Sequence, residues 1–135
     1  MTSATFYADG GGRDKFGTCR WCVVMGDDYY LEEWRGNLTS PQVEYIAFIE
    51  AAKRANDGDT IRMDSMLVVS QVDKHPITGK QWAVKSANIV HMCHAARKLV
   101  TAKNLILEWV PREMNLAGHI LADAKEGAAT KSVHD

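Results

Sequence analysis

Three acidic residues, Asp9, Glu44 and Asp64, occupy positions from which carboxylates could act together. Asp9 and Asp64 each follow a short segment typical of a strand, and sites in open sheets form at the carboxyl ends of strands. Carboxylates brought together without cationic partners repel one another, and a divalent cation relieves that repulsion. Such a cluster would bind magnesium or manganese. The spacing by itself, however, favours three unrelated surface acids among the 17 Asp and Glu residues.

The cysteines and their neighbours have simpler interpretations. Cys19 and Cys22 have the spacing of a redox motif, but they lie in a strand pattern, where residues three apart face opposite sides. Cys93 belongs to the apolar stripe of a helix, and no second pair at ligand spacing joins it with His91 and His94 into a zinc site. We therefore predict packing residues. The odd, sparse thiols also favour a reducing compartment.

The segments that must position these residues begin with a predicted meander of three antiparallel strands. Thr5 to Ala8 is short and aromatic and is broken by a glycine triplet, so Asp9 is expected at the end of the first strand. Thr18 to Met25 is rich in Val, Trp and Cys, and Tyr29 to Trp34 follows a Gly-Asp-Asp turn signal.

The rest of the chain alternates helices with two further strands. Ser40 is the expected N-cap of a helix that runs to about Asn56, with Pro41 in its first turn. The remaining segments are the strands Thr60 to Met63 and Leu105 to Val110, a short helix with Leu67, Val68 and Val72 on one side, and the helices Ser86 to Ala102 and Asn115 to Ala129. This order predicts an α/β fold, a mixed sheet covered by helices.

The composition is that of one globular domain, expected over residues 1–130, with 131–135 as a flexible tail. No apolar run approaches the roughly 20 residues that span a bilayer, and no signal-peptide pattern opens the chain, so a cytoplasmic location is expected. The net charge of -1 requires any nucleic acid to be bound by a local basic face. Candidate cations for that face are Arg13, Lys15, Arg20, Lys74, Lys80, Lys85, Arg97 and Lys98.

Five stretches resemble type 1 ribonucleases H, in that family's order and over nearly the whole chain. They are FYADGGG (6–12), T-x-x-Q-V-E-Y (39–45), MDSMLVVSQV (63–72), WAVKSAN (82–88) and LEWVPREMN (107–115). The segment between Val72 and Trp82 is short, which resembles the compact archaeal and plant-like branch without a basic protrusion. The resemblance implies a five-stranded mixed sheet, three antiparallel strands followed by two parallel additions, with helices on both faces.

The resemblance also implies a function, the hydrolysis of the RNA strand of RNA/DNA hybrids with two magnesium ions, which manganese can replace. Asp9, Glu44 and Asp64 become metal-binding catalytic residues. The implied substrate-binding residues are Gly10, Gly11, Gly12, Thr39, Gln42, Ser65, Lys85 and Asn115. Backbone around the glycines and the loop before Glu44 would read the RNA 2′-hydroxyls.

The chain departs from the family pattern at two places. Ser40-Pro41 stands where the family commonly has an Asn-Asn or Asn-Gln pair, which leaves Thr39 and Gln42 as the nucleic-acid contacts. His119 stands at the fourth metal position in place of an aspartate, and Asp123 lies one turn later. His119 is predicted as a fourth catalytic metal ligand; a neutral hydrogen-bonding bystander is the equally weighted alternative.

Two other functions compete with the hybrid nuclease, a related DNA nuclease of the same fold and a non-catalytic hybrid-binding module. The close match of the motifs between Glu44 and Asn115 disfavours the first. The three retained carboxylates disfavour the second, because a binder gains nothing from clustered acids. The expected partner is an RNA/DNA hybrid, with no membrane and no protein partner, and the expected state is a monomer.

Overall fold

β1 (Thr5–Gly11) is the central strand of a five-stranded mixed sheet, and its neighbours on the two sides run in different directions. The computed structural model describes residues 2–134, with side chains for residues 2–127. On one side β2 (Thr18–Met25) and β3 (Asp28–Arg35) complete an antiparallel meander. On the other side β4 (Thr60–Met63) and β5 (Ile106–Trp109) add in parallel, in the order β3-β2-β1-β4-β5. The predicted sheet is confirmed.

Helices cover both faces of this sheet, as predicted. Four α-helices and one short 3-10 turn are described: α1 (Ser40–Arg54), α2 (Met66–Val72), α3 (Ala87–Lys103), the turn Arg112–Met114, and α4 (Leu116–His134). The main core lies between the sheet and α1 to α3, and a smaller apolar cluster lies under α4. No helix of the described chain is long and apolar enough to cross a membrane.

Side chains of β2 point to both faces of the sheet and so contribute to both cores. Cys19, Trp21 and Val23 are buried in the main core, whereas Cys22 and Val24 are buried in the cluster under α4. The prediction that Cys19 and Cys22 face opposite sides as packing residues is confirmed.

Two predicted helix ends are corrected. The N-cap of α1 is Thr39, whose hydroxyl accepts from the Gln42 nitrogen while the Gln42 side chain accepts from the Thr39 nitrogen; Ser40 is the first helical residue. α4 continues past Ala129 to His134. Asp135, the last residue of the predicted tail, lies outside the described residues, and the flexibility of that segment stays a prediction.

β1 extends three residues beyond the predicted end, so Asp9 lies within the strand. Asp9 pairs with Cys22, Gly10 with Trp21 and Gly11 with Arg20. Glycine weakens a strand in general, but it is found where another backbone comes close. Here the first turns of α1 come close to Gly10 and to Gly12, just after the strand.

Candidate active site

The three predicted carboxylates lie around the carboxyl ends of the parallel strands β1 and β4. Asp9 belongs to β1 and Asp64 follows β4, and the register that pairs Tyr7 with Arg62 carries both acids to the same edge. Glu44 joins them because α1 packs directly on β1. A methyl group at Gly10 would overlap the Val43 carbonyl and lie 2.8 Å from the Glu44 nitrogen.

The carboxylates influence one another electrically. Burial, followed by the negative charges of Asp64 and Glu44, raises the pKa of Asp9 to about 7 against the weaker opposing effects of the Gly10 N–H and Arg112. Burial and Asp64 also raise the pKa of Glu44, although a hydrogen bond from Ser65 opposes the shift. The site therefore has a deficit of positive charge.

Asn115 connects this cluster to the sheet. Its side chain is 0% exposed. Its Nδ2 donates to the Ala8 carbonyl at 3.0 Å and to Asp64 Oδ1 at 2.7 Å, and its Oδ1 accepts from the Ala117 nitrogen at 3.1 Å. A fully buried amide with three protein partners positions Asp64 in this structure, and the substrate contact of Asn115 stays a prediction.

Ser65 is also buried, and its hydroxyl accepts from the Val68 nitrogen at 3.2 Å as the N-cap of α2. The same side chain also lowers the pKa of Glu44, which places it beside that carboxylate. The substrate contact of Ser65 stays a prediction beside this cap and its effect on Glu44.

The donor set fits a hard divalent cation by its chemistry. Carboxylate oxygens are the ligands that magnesium and manganese prefer, and the raised pKa of Asp9 shows that a cation would relieve an existing strain. Among the residues that the structure describes, no group of three or more His, Cys, Asp or Glu side chains is placed to hold a metal ion as it stands. The two-metal centre stays a prediction.

A groove next to the first turn of α1 contains Thr39 and Lys85. It encloses about 530 Å³ between the N-termini of α1 and α3, where Ser86 and Asn88 complete its polar lining. Ser86 makes no side-chain cap to α3, so that helix end offers free N–H groups. Helix N-termini and an ammonium group together favour an anion such as a phosphate. Gln42, in the first turn of α1, donates Nε2 to the Asn88 carbonyl of α3 at 3.5 Å.

Solved structures similar to this chain include ribonucleases H. The N-terminal ribonuclease H domain of Rv2228c from Mycobacterium tuberculosis, solved as a fusion with maltose-binding protein, is 26% identical with a TM-score of 0.75, over 98% of this chain and 99% of that chain. Ribonuclease H1 of the halophilic archaeon Halobacterium salinarum NRC-1 is 26% identical with a TM-score of 0.68, over 89% and 94%. LC11-RNase H1, isolated from compost by a metagenomic approach and solved with an RNA/DNA hybrid, is 24% identical with a TM-score of 0.68, over 84% and 89%. No protein-family model matches the sequence, and no curated protein matches it either.

This chain has the ribonuclease H fold. Within that fold His119 is exposed in the first turn of α4, and its Nε2 lies 2.8 Å from the Glu113 carbonyl oxygen. A carbonyl oxygen can only accept, so Nε2 carries a hydrogen in this contact, and Nδ1 is the ring atom that remains to bind a metal. No described contact joins His119 to the three carboxylates, and its role as a ligand stays a prediction.

The glycine triplet of this ribonuclease H fold has packing reasons that the sequence did not reveal. Side chains at Gly10 and Gly12 would overlap the Val43 carbonyl and the Ser40 nitrogen of α1. At Gly11 the only close neighbour of an added methyl group is the flexible end of Lys125, with Nζ at 3.1 Å. Close approach of RNA to these three residues stays a prediction, whereas close approach of α1 is observed.

Arg112 is a functional candidate that sequence reasoning missed. Its charge lowers the pKa of Asp9, so it is the one cation among the causes of that shift. It stands within the WVPREMN stretch, in which only Asn115 is predicted from the sequence as a site residue. Arg20, by contrast, is no surface cation: it is 1% exposed and pairs with Asp14 and Glu33, each at 2.7 Å.

Proposed function

We propose that this protein is a metal-dependent ribonuclease H that cleaves the RNA strand of RNA/DNA hybrids. The observation that carries the proposal is the group of electrically coupled carboxylates Asp9, Glu44 and Asp64 at one edge of a ribonuclease H fold, with the pKa of Asp9 raised to about 7. Three unrelated surface acids would have no reason to lie close together in partly buried positions. The repulsion among these carboxylates destabilises the metal-free fold, and a bound cation would remove that repulsion.

Magnesium or manganese, when bound, would supply a metal-activated water and stabilise the leaving oxygen. Asp9, Glu44 and Asp64 would bind the ions, with His119 as a fourth ligand through Nδ1. A histidine that binds a metal commonly donates its other ring N–H to a backbone carbonyl, as His119 Nε2 does to Glu113.

The buried polar residues keep the carboxylates oriented. Asn115 fixes one oxygen of Asp64 while it also bonds the backbone of β1, and Ser65 restrains Glu44. The orientation is therefore set by the fold before any ion arrives, which reduces the entropy lost on binding.

The groove between α1 and α3 supports a nucleic-acid substrate. Thr39, Lys85 and the free N–H groups of α3 suit a phosphate of the uncut DNA strand. LC11-RNase H1 was solved in complex with an RNA/DNA hybrid, and we extend that substrate to this chain. The monomeric state and the cytoplasmic location stay predictions.

The deciding experiment incubates the protein with end-labelled RNA/DNA hybrid, double-stranded DNA and double-stranded RNA, each with magnesium, manganese or chelator. We expect cleavage of the RNA strand of the hybrid only, and none with chelator. Asp64→Asn should nearly abolish cleavage and keep the fold, because the amide oxygen can still accept from Asn115. Asp27→Asn, at an exposed turn, is the matched control.

Other outcomes distinguish the rival functions. Cleavage of double-stranded DNA at the same sites would indicate a DNA nuclease of this fold. Tight binding of hybrid without cleavage under every metal would indicate a binding module and refute the proposal.

A further inference from the structure

The exposed side chain of Lys125, from α4, reaches β1 and ends against Gly11. A methyl group built on Gly11 would lie 3.1 Å from Lys125 Nζ and 3.4 Å from its Cε. Residues 9 and 11 of a strand share one face and are separated by about 7 Å, so the Lys125 ammonium lies one step along β1 from Asp9.

The ammonium of Lys125 is not neutralised by a neighbour. Among the side chains described, residues 2–127, no carboxylate lies within 4 Å of it. The nearby Asp14 is already paired with Arg20 at 2.7 Å. Arg13, whose partner is the neutral Asn37 side chain at 3.0 Å, and Lys15 add positive charge on the adjacent loop. This side of the site therefore carries three cations beside one exposed acid, Glu126.

The position of Lys125 indicates which strand it would contact. Gly10 and Gly12 face α1, which borders the groove of Thr39 and Lys85, whereas Gly11 and Asp9 face α4. The two cationic places therefore lie on opposite faces of β1. If the uncut strand lies in the α1 groove, the strand that crosses the carboxylates continues past Lys125.

We propose that Lys125 contacts a phosphate of the RNA strand adjacent to the scissile phosphate. The inference rests on the proposed function for the identity of the strand, but the phosphate contact itself needs no cleavage. A lysine on a phosphate releases counterions, so its removal weakens binding and lowers the salt dependence of binding by about one ion.

The test compares Lys125→Gln with Lys53→Gln, an exposed lysine near the other end of α1, about 20 Å from the first turn by helix rise. Binding of a fluorescent RNA/DNA hybrid is measured by anisotropy in chelator between 50 and 200 mM salt. We expect Lys125→Gln to weaken binding roughly threefold to tenfold at the lower salt concentration and to lower the salt slope by about one. Lys53→Gln should behave as wild type.

A second arm locates the phosphate. Each hybrid carries one 2′-deoxynucleotide in the RNA strand, and its position differs from one hybrid to the next. The phosphate at that nucleotide is either a neutral methylphosphonate or, in the control, an ordinary phosphate. The DNA strand is scanned in the same way. The loss caused by Lys125→Gln should vanish at one RNA-strand methylphosphonate next to the mapped cleavage site. Wild-type affinity and slope in Lys125→Gln, or a loss that vanishes only in the DNA strand, would overturn the inference.

Failure of the proposed function gives a different result. If wild-type protein cleaves no hybrid, the nuclease assignment fails, while the anisotropy arms still decide whether Lys125 binds an RNA-strand phosphate. In that case the same methylphosphonate scan is also made with Asp64→Ala. The position at which the binding of Asp64→Ala changes marks the phosphate nearest the carboxylates, and the phosphate contacted by Lys125 is located relative to it.

Discussion

Asp9 is divided between its protonated and charged forms near neutral pH, because its pKa lies at about 7. A buried carboxylate of this kind is a destabilising element of the metal-free fold and a favourable ligand when a cation is present. The polar atoms that hold its neighbours come from Ser65 and Asn115. The motifs predict that a serine and an asparagine stand at these positions. They do not predict that both side chains are buried, because burial depends on how the rest of the chain packs over them.

The pH dependence of stability follows from the raised pKa of Asp9. Its folded pKa of about 7 exceeds its unfolded value of 3.8, so the stability it contributes is present below about pH 4 and lost as the pH rises through 7. The free energy of unfolding of metal-free protein should therefore fall by roughly a few kcal/mol over this range. Asp9→Asn should reduce that fall.

Urea unfolding in chelator at pH 5 and pH 8 measures this difference. Magnesium at pH 8 should stabilise the wild type more than Asp9→Asn, because ligand binding stabilises the state that binds it. An identical pH dependence in the two proteins would show that Asp9 does not carry the effect.

His119 is tested by changing its donor atom. As a ligand through Nδ1, His119→Ala should lose about 10-fold to 100-fold in activity, with partial rescue by excess manganese, as is typical when a metal site is weakened. His119→Asp should regain activity with a stronger preference for magnesium, since a hard oxygen replaces imidazole. Cleavage assays over a range of each metal measure both effects. Wild-type activity of His119→Ala would leave His119 as a bystander.

At the scale of elements, the site depends on α1 lying directly against β1. The sequence predicts the bounds of β2 and β4 correctly, because each is a short apolar run closed by a turn or helix-cap signal. A two-residue turn with a φ of +61° at Gly26 supports the hairpin of β2 and β3. The end of β1 is predicted wrongly. Glycines that usually break a strand are here required by the neighbouring helix, and no local pattern shows that neighbour.

The contact between α1 and β1 predicts opposite effects for two glycine substitutions. Gly10→Ala should lower the free energy of unfolding by roughly 2–4 kcal/mol, because the added methyl group overlaps the Val43 carbonyl. Gly127→Ala, which meets nothing within 4 Å on α4, should raise it by up to about 1 kcal/mol. Urea titration measures both. A Gly10→Ala protein as stable as the wild type would mean that α1 does not lie so close.

Thr39 has both a structural and a proposed binding role, and the two can be separated. As the N-cap of α1, its replacement by alanine should cost about 1 kcal/mol of stability. As a phosphate contact, Thr39→Ala should raise KM for hybrid more than it lowers kcat. Thr39→Ser keeps the hydroxyl and should restore both. Steady-state kinetics in which only kcat changes would count against the contact.

At the scale of the molecule, the composition predicts one domain but not the location of its charge. A net charge of -1 conceals local groups of opposite sign, the carboxylates at the sheet edge and the lysines on its two sides. The fold class and strand directions could be predicted because the motifs keep the order of the ribonuclease H fold. Lys125 could not, since its importance arises only where α4 crosses β1.

The amide of Asn115 also has a consequence for how the protein is made. Its hydrogen bond to Ala8 joins residues 107 positions apart, and its bond to Asp64 spans 51. Contacts of such separation form late, because the intervening chain must first close a large loop. During translation the three acids emerge from the ribosome well before the side chain that secures them. A nascent chain therefore holds Asp9, Glu44 and Asp64 well before it holds the amide that orients Asp64.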